Sequence, residues 1–271
     1  MGKINVYIQD IEYTSSIGEV WGSLITNPFF TQPIYSIANI NGVAVAVGAS
    51  GLIARSTDNG LTWGSLITNP FGTSGILSIA NVNGVAIAVG FDGKIARSTN
   101  NGLTWDSLIT NPFGTTLIRS IANINGVAIA VGSDGKIARS TDNGLTWGSL
   151  ITNPFGTSAI YSIANINGVA IAVGGDGKIA RSTDNGLTWG SLITNPFGTS
   201  VINSIANING VAIAGGSDGM IARSTDNGLT WSSLITNPFY MSIIYSIANV
   251  NGVAIAVGAN GMIARSEEEA F

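Results

Sequence analysis

The residues that could do chemistry in this chain are few, and most of them come in copies. Its 271 residues include no histidine and no cysteine, which removes the usual general base, the usual zinc ligand and any disulfide. The recurring carboxylates, such as Asp134 and Asp142, fall beside glycine or Asn-Gly in turn-forming stretches. A glycosidase instead needs two carboxylates held a defined distance apart across a substrate. An Asp-Asn-Gly calcium loop would need further carboxylates and a closing Glu. "GFDGKIA" at Gly90 and "GGDGKIA" at Gly174 resemble phosphate loops only superficially: Ile follows the Lys where a hydroxyl should hold magnesium, and a strand follows where a helix should start. Arginine occurs at 119 and once in each "IARS", at 55, 97, 139, 181, 223 and 265. One arginine per copy, flanked by Ala and Ser, points to bonds with backbone carbonyls or a neighbouring turn. The expectation is a non-enzyme with no cofactor, no metal and no catalytic residue.

What must position these residues is a repeat. Tryptophan stands at 21, 63, 105, 147, 189 and 231, a period of 42 without slippage. A period in the forties suits propeller blades or paired helices, and turn chemistry decides between them. The third copy carries Asn125-Gly126, Asp134-Gly135 and Asn143-Gly144, dipeptides that tolerate the positive φ of tight hairpins. Three turns join four strands, "LIRSIANI", "GVAIAVG", "GKIARST" and "LTWGSLIT". The second is apolar on both faces, as in a sheet sandwiched between neighbours. Helices longer than two turns are ruled out by the density of Gly and Asn-Gly.

"STDNGLTW" at Ser56 and its copies at Ser98, Ser140, Ser182 and Ser224 have the form S-x-D-x-G-x-T-W, with Asn100 in place of Asp in the second. This resembles the Asp box of bacterial neuraminidase repeats, found in sialidases and in many non-enzymatic propellers. With "AVGxDGKIARSTDNGLTW" included, the repeat looks like propellers of the photosystem II assembly-factor type. The resemblance implies a turn between the third and fourth strands of each blade. There the Asp accepts from turn amides, Gly takes the left-handed position and Trp fills the space between sheets. Sialidase chemistry would need three arginines on a carboxylate, a Tyr-Glu pair and an acid Asp. Only Arg119 stands outside the repeat, and glutamate is confined to 12, 19 and 267–269, so no such site can be assembled.

Inner strands beginning near Tyr35, Leu77, Arg119, Tyr161, Asn203 and Tyr245 predict an all-β fold, a six-bladed propeller of four-stranded repeats. Residues 1–271 form a single domain in this reading. The last blade combines 243–266 with an N-terminal strand from 15–27, closing the ring and removing open edges. Residues 7–14 remain unassigned, as an extra outer strand or a cap.

The copies differ mainly at two places: the start of strand one (Pro33, Tyr35; Gly75, Leu77; Leu117, Arg119; Ala159, Tyr161; Val201, Asn203; Ile243, Tyr245) and the turn between strands two and three, where Phe91 is the bulkiest. Phe30 and Tyr240 also replace Gly72, Gly114, Gly156 and Gly198. Alternating strand direction puts these positions on one face of the disc. The expectation is that Tyr35, Leu77, Arg119, Tyr161, Asn203, Tyr245 and Phe91 bind a ligand, since Tyr and Arg are enriched among interface anchors. The bland alternative is that turn geometry restricts the uniform face while the variable face tolerates change.

The ligand is expected to be a protein or a glycan. Net charge is −4 and no basic run exists, which excludes nucleic acid. No stretch reaches the apolar length of a membrane span and no signal peptide is recognisable, so the expected setting is cytoplasmic, away from membrane. Charged residues are only 10% of the chain, which makes self-association plausible. Two other readings stand beside the recognition module. One is a multivalent lectin using the repeated "TNPF" residues, beginning with Asn27, Pro28 and Phe29. The other is an engineered or reconstructed propeller with no natural ligand, prompted by the near identity of the copies.

Overall fold

The computed structural model describes residues 28–235 and 237–266. They form six antiparallel sheets of three strands each, consecutive in sequence. The first sheet is β1 (Ile34–Ile40), β2 (Val43–Gly48) and β3 (Ile53–Ser56); the second is β4 (Ile76–Val82), β5 (Val85–Gly90) and β6 (Ile95–Ser98). The third is β7 (Ile118–Ile124), β8 (Val127–Gly132) and β9 (Ile137–Ser140); the fourth is β10 (Ile160–Ile166), β11 (Val169–Gly174) and β12 (Ile179–Ser182). The fifth is β13 (Ile202–Ile208), β14 (Val211–Gly216) and β15 (Ile221–Ser224); the sixth is β16 (Ile244–Val250), β17 (Val253–Gly258) and β18 (Ile263–Arg265). The Asn-Gly and Asp-Gly pairs make the turns for the reason given: Asn125 and Gly126 have φ of 52° and 88°, Asp134 and Gly135 of 56° and 62°.

The expected fourth strand does not form. "LTWGSLIT" runs beside the third strand with two backbone bonds to it in the first repeat, Gly64 N to Arg55 O at 3.0 Å and Ile67 N to Ile53 O at 2.9 Å. Those bonds are too far apart for a continuous ladder. The segment lies at the outer edge with Gly64, Ser65 and Leu66 exposed, so its β-branched and apolar letters have only one sheet face to pack on.

Stacking of neighbouring sheets makes the core. Between the first two, Val43, Val45, Val47 and Ile53 of one meet Ile76, Ile79, Ala86, Ala88 and Ala96 of the next, and Phe71 in the connecting loop is fully buried with them. Each large side chain buried this way stabilises by roughly 1.5–3 kcal/mol. Trp105 packs at the margin of that junction. The indole nitrogens of Trp105, Trp147, Trp189 and Trp231 are buried with no hydrogen-bond partner, so these rings act there as apolar bodies. The inner strands pack in sequence, β1 on β4, then β7, β10, β13 and β16. Among the described residues β16 does not pack on β1 in this way. The N-terminal segment expected to close the ring lies outside the described residues.

Candidate functional site

The variable positions of the inner strands share one backbone feature. In the first sheet Ile34 pairs with Gly48 and Ser36 with Val47, so Tyr35 between them has no partner across the ladder. The same register shift falls at Leu77, Arg119, Tyr161, Asn203 and Tyr245. All six are the extra residue of a β-bulge, a device that re-aims a side chain and releases it from pairing. The glycine ending each second strand makes the bulge possible. A Cβ on Gly132 would lie 2.2 Å from Leu117 O, and one on Gly216 1.9 Å from Val201 O. Gly132 has φ −161°, which any residue adopts, so space alone demands glycine here.

These bulges bring together some of the expected site residues and leave others apart. The Arg119 guanidinium stacks on the Tyr161 ring of the next sheet, 4.6 Å from its centroid, while its Nε donates to Ser133 Oγ at 3.2 Å. Tyr35 and Phe91 line one shallow cleft with Ser50, Ser74, Gly75 and Asp92. Phe91 lies over Gly75, so that a Cβ on this glycine would come within 3.0 Å of the ring. The glycine makes room for the ring, and both residues are unique among the copies. Asn203 is tied down by its own bond from Nδ2 to Ile244 O at 3.0 Å. Leu77 is half-buried and Tyr245 is exposed; neither joins a cluster.

Around the bulges the rim is braced rather than free. Lys94 Nζ donates to Phe71 O at 2.9 Å and to Ser74 Oγ at 2.6 Å, and Lys178 does the same with Phe155 O and Ser158 Oγ. These lysines are structural ties and do not grip a phosphate. Two residues of the rim stand out for conformation: Phe30 and Tyr240 have φ of 56° and 52° where the other four copies have glycine. Side chains in the left-handed region cost about 1–2 kcal/mol, and these two are 86% and 79% exposed.

On the opposite face the invariant residues are consumed by bonds. Ser56 Oγ donates to Asp58 Oδ1 at 2.6 Å and accepts from Gly60 N at 2.9 Å, while Thr62 donates to both Asp58 oxygens. Hydrogen bonds from Ser56 and Thr62 hold the Asp58 carboxyl down at about 2. At Asp142 and Asp184 desolvation pushes the pKa up, but the bonds from threonine and serine outweigh it and the carboxyl again falls to about 2. Asn100 makes the same turn with a neutral amide, accepting from Ser98 Oγ at 2.9 Å and Thr104 N at 2.9 Å. The turn therefore requires the acceptor geometry rather than the charge.

Bonds between sheets complete that face. Asn41 Nδ2 donates to Gly84 O at 3.1 Å and to Asn101 Oδ1 at 2.9 Å, and Asn83, Asn125 and Asn167 repeat the pattern. Arg55 Nε donates to Asn101 O at 3.2 Å, in the turn of the next repeat, and Arg97, Arg139 and Arg181 do likewise. The "TNPF" residues are equally committed. Asn69 Nδ2 donates to Gly51 O at 2.8 Å while its Oδ1 accepts from Phe71 N at 3.0 Å, and Phe71 is fully buried. Neither an amide nor a ring is left there to hold a sugar, and Asn27 lies outside the described residues. Among the described residues no cluster of three or more His, Cys, Asp or Glu could hold a metal, and no helix is long and apolar enough to cross a membrane.

No protein-family model matches the chain, and no curated protein matches it. Solved structures do. The chain is similar to YCF48 from Cyanidioschyzon merolae, with TM-score 0.65 and 16% identity over 88% of this chain and 83% of that one. It is also similar to the WD40 repeats of RRP9, with TM-score 0.70 and 12% identity over 87% and 76%, and to U3-55K, with TM-score 0.70 and 12% identity over 87% and 77%. At such identities the likeness is one of architecture, and with six consecutive antiparallel sheets it shows that this chain has a β-propeller fold.

Proposed function

We propose that the chain is a non-enzymatic recognition module, a single propeller domain whose bulge rim captures a protein partner. The observation that carries this reading is the coincidence of sequence variation with the β-bulge: within the inner strands, from Ile34 and its counterparts onward, the position that differs most between copies is the one that no partner strand constrains. Arg119 stacked on Tyr161 and the aromatic cleft of Tyr35 and Phe91 supply the anchors such a surface uses. A protein suits a rim that differs from blade to blade. Several equal glycan sites would need identical groups in each blade, and the identical groups are internally bonded.

The test is capture of partners from cell extract by immobilised protein, read by mass spectrometry, comparing wild type with the double variant Tyr161→Ala, Arg119→Ala and with Leu145→Ala on the uniform face. The expected result is loss of a specific partner in the double variant alone. An unchanged set of captured proteins overturns the assignment of the rim. Binding of several equivalents on a glycan array would instead favour the lectin.

A further inference from the structure

The junction between the first and second sheets is built differently from the others on its variable side. Gly75, just ahead of β4, carries no side chain, whereas the same position in the other repeats holds Pro33, Leu117, Ala159, Val201 and Ile243. A Cβ on Gly75 would come within 3.0 Å of the Phe91 ring and 3.8 Å of Tyr35 Cε2, so both rings border the space that the missing side chain leaves. Phe91 is the one aromatic residue at its place in the repeat, where the copies have Ala49, Ser133, Gly175, Ser217 and Ala259. Ser50, Thr73, Ser74 and Asp92 complete the lining of the cleft.

Asp92 is the one charged residue that lines it. Its Oδ2 accepts from Ser74 Oγ at 2.7 Å and lies 4.0 Å from Lys94 Nζ, while Oδ1 has no hydrogen bond among the described residues. The Lys94 ammonium is spent on Phe71 O and Ser74 Oγ, and its side chain is 25% exposed against 63% for Asp92. The carboxylate is therefore the charge this cleft offers to a ligand. Rings attract a cation through their quadrupoles, and a carboxylate adds charge-assisted hydrogen bonds. The chain makes the ring half of that pairing once within itself: the Arg119 guanidinium lies 4.6 Å from the centroid of Tyr161, which stands at the same bulge position as Tyr35.

We propose that this cleft takes the guanidinium of an arginine on the protein partner. The proposal rests on the reading of the rim as a protein-capture surface and names the group that its first junction holds. Charge complementarity with Asp92 selects a cation. The open Oδ1 of Asp92 and the Ser50 hydroxyl select a cation with N–H donors, which a quaternary ammonium lacks. Arginine fits better than lysine, because its planar group stacks on a ring while donating in its own plane, whereas an ammonium is compact and strongly hydrated. A purely apolar side chain would bury the carboxylate without a partner, which costs free energy.

The experiment is an NMR titration of the full chain with tripeptides of the form acetyl-Gly-X-Gly-amide, where X is arginine, citrulline or trimethyllysine, observing the ring signals of Tyr35 and Phe91 and the amide of Gly75. The arginine peptide is expected to shift these signals saturably. The citrulline peptide, of the same shape without the charge, should bind at least about fivefold more weakly. Tyr35→Leu and Asp92→Asn reproduce residues the chain already carries at those places, Leu77 and Asn260, so both variants should keep the fold. Each should weaken binding of the arginine peptide about three- to fivefold. Absence of a saturable shift, equal binding of arginine and citrulline, or an Asp92→Asn variant that binds like wild type overturns the proposal. Tighter binding of the trimethyllysine peptide also overturns it, by assigning the cleft to a quaternary ammonium. The recognition reading is tested separately by the Tyr161→Ala, Arg119→Ala variant, which leaves this cleft untouched, so either can fail without the other.

Discussion

The two faces of the array are made from the same repeats yet obey opposite constraints. On the uniform face the repeated polar residues are largely committed to bonds: Asp58 in its own turn, Asn41 across two neighbouring turns, Arg55 on the next repeat's carbonyl. On the variable face the backbone is just as tightly built, with glycine against carbonyl at each bulge, but the side chain at the bulge is paired with nothing across the ladder. The bonds of the uniform face restrict what those positions can hold, whereas at the bulge no partner strand restricts the side chain. Exposure alone does not separate the faces, because Leu145 and Leu187 on the uniform side are exposed too.

The largest effect should come from the backbone of the variable rim. Gly132→Ala puts a Cβ against Leu117 O and is expected to cost about 2–3 kcal/mol, measured by urea unfolding. If stability is unchanged, the bulge is not the rigid base of the site. Next is the lacing of the uniform face: Asn125→Ala removes bonds to Gly168 O and Asn185 Oδ1 and should cost about 1–2 kcal/mol in the same assay. A cost as small as that of a bulge side chain would erase the contrast between the faces.

Acid sharpens the comparison because the carboxyls held low belong to the turns of the uniform face. Asp58, Asp142, Asp184 and Asp226 have carboxyls held down at about 2 in the folded chain, against about 3.9 in an unfolded one. A lowered folded pKa gives stability that is present above the unfolded value and is lost as pH falls from about 4 through about 2. Asp142→Asn, which copies the turn at Asn100, should weaken that pH dependence while preserving the fold. A pH titration of thermal midpoint checks it, and an acid profile identical to wild type would remove the carboxyl from the account. The smallest change belongs to the bulge side chains themselves. Arg119→Ala loses one ring contact and one bond and should shift stability by no more than about 1 kcal/mol, whatever it does to binding.

Much of the fold could be read from the letters. Asn-Gly and Asp-Gly fall where φ is positive, and "GVAIAVG" is buried on both sides because sheets flank it. The outer "LTWGSLIT" misled because strand propensity describes a half-buried pleated surface, and that segment has a neighbour on one side at wide spacing only. The candidate residues were found by comparing copies, yet the bulge beneath them was hidden. Nothing in "IYSIANI" marks a register shift. The sole hint is the glycine ending the second strand, whose reason is a carbonyl about 2 Å from where its Cβ would be. The pairs Arg119 with Tyr161 and Phe91 with Gly75 were equally invisible, since they join residues of different repeats or different strands.

A residue skipped by the hydrogen-bond ladder has no cross-strand neighbour to satisfy. Tyrosine, leucine, arginine and asparagine already occupy that place in one chain with the surrounding strands unchanged. A lineage carrying this fold can therefore change the chemistry of this rim one blade at a time, by single substitutions that leave its ability to fold intact.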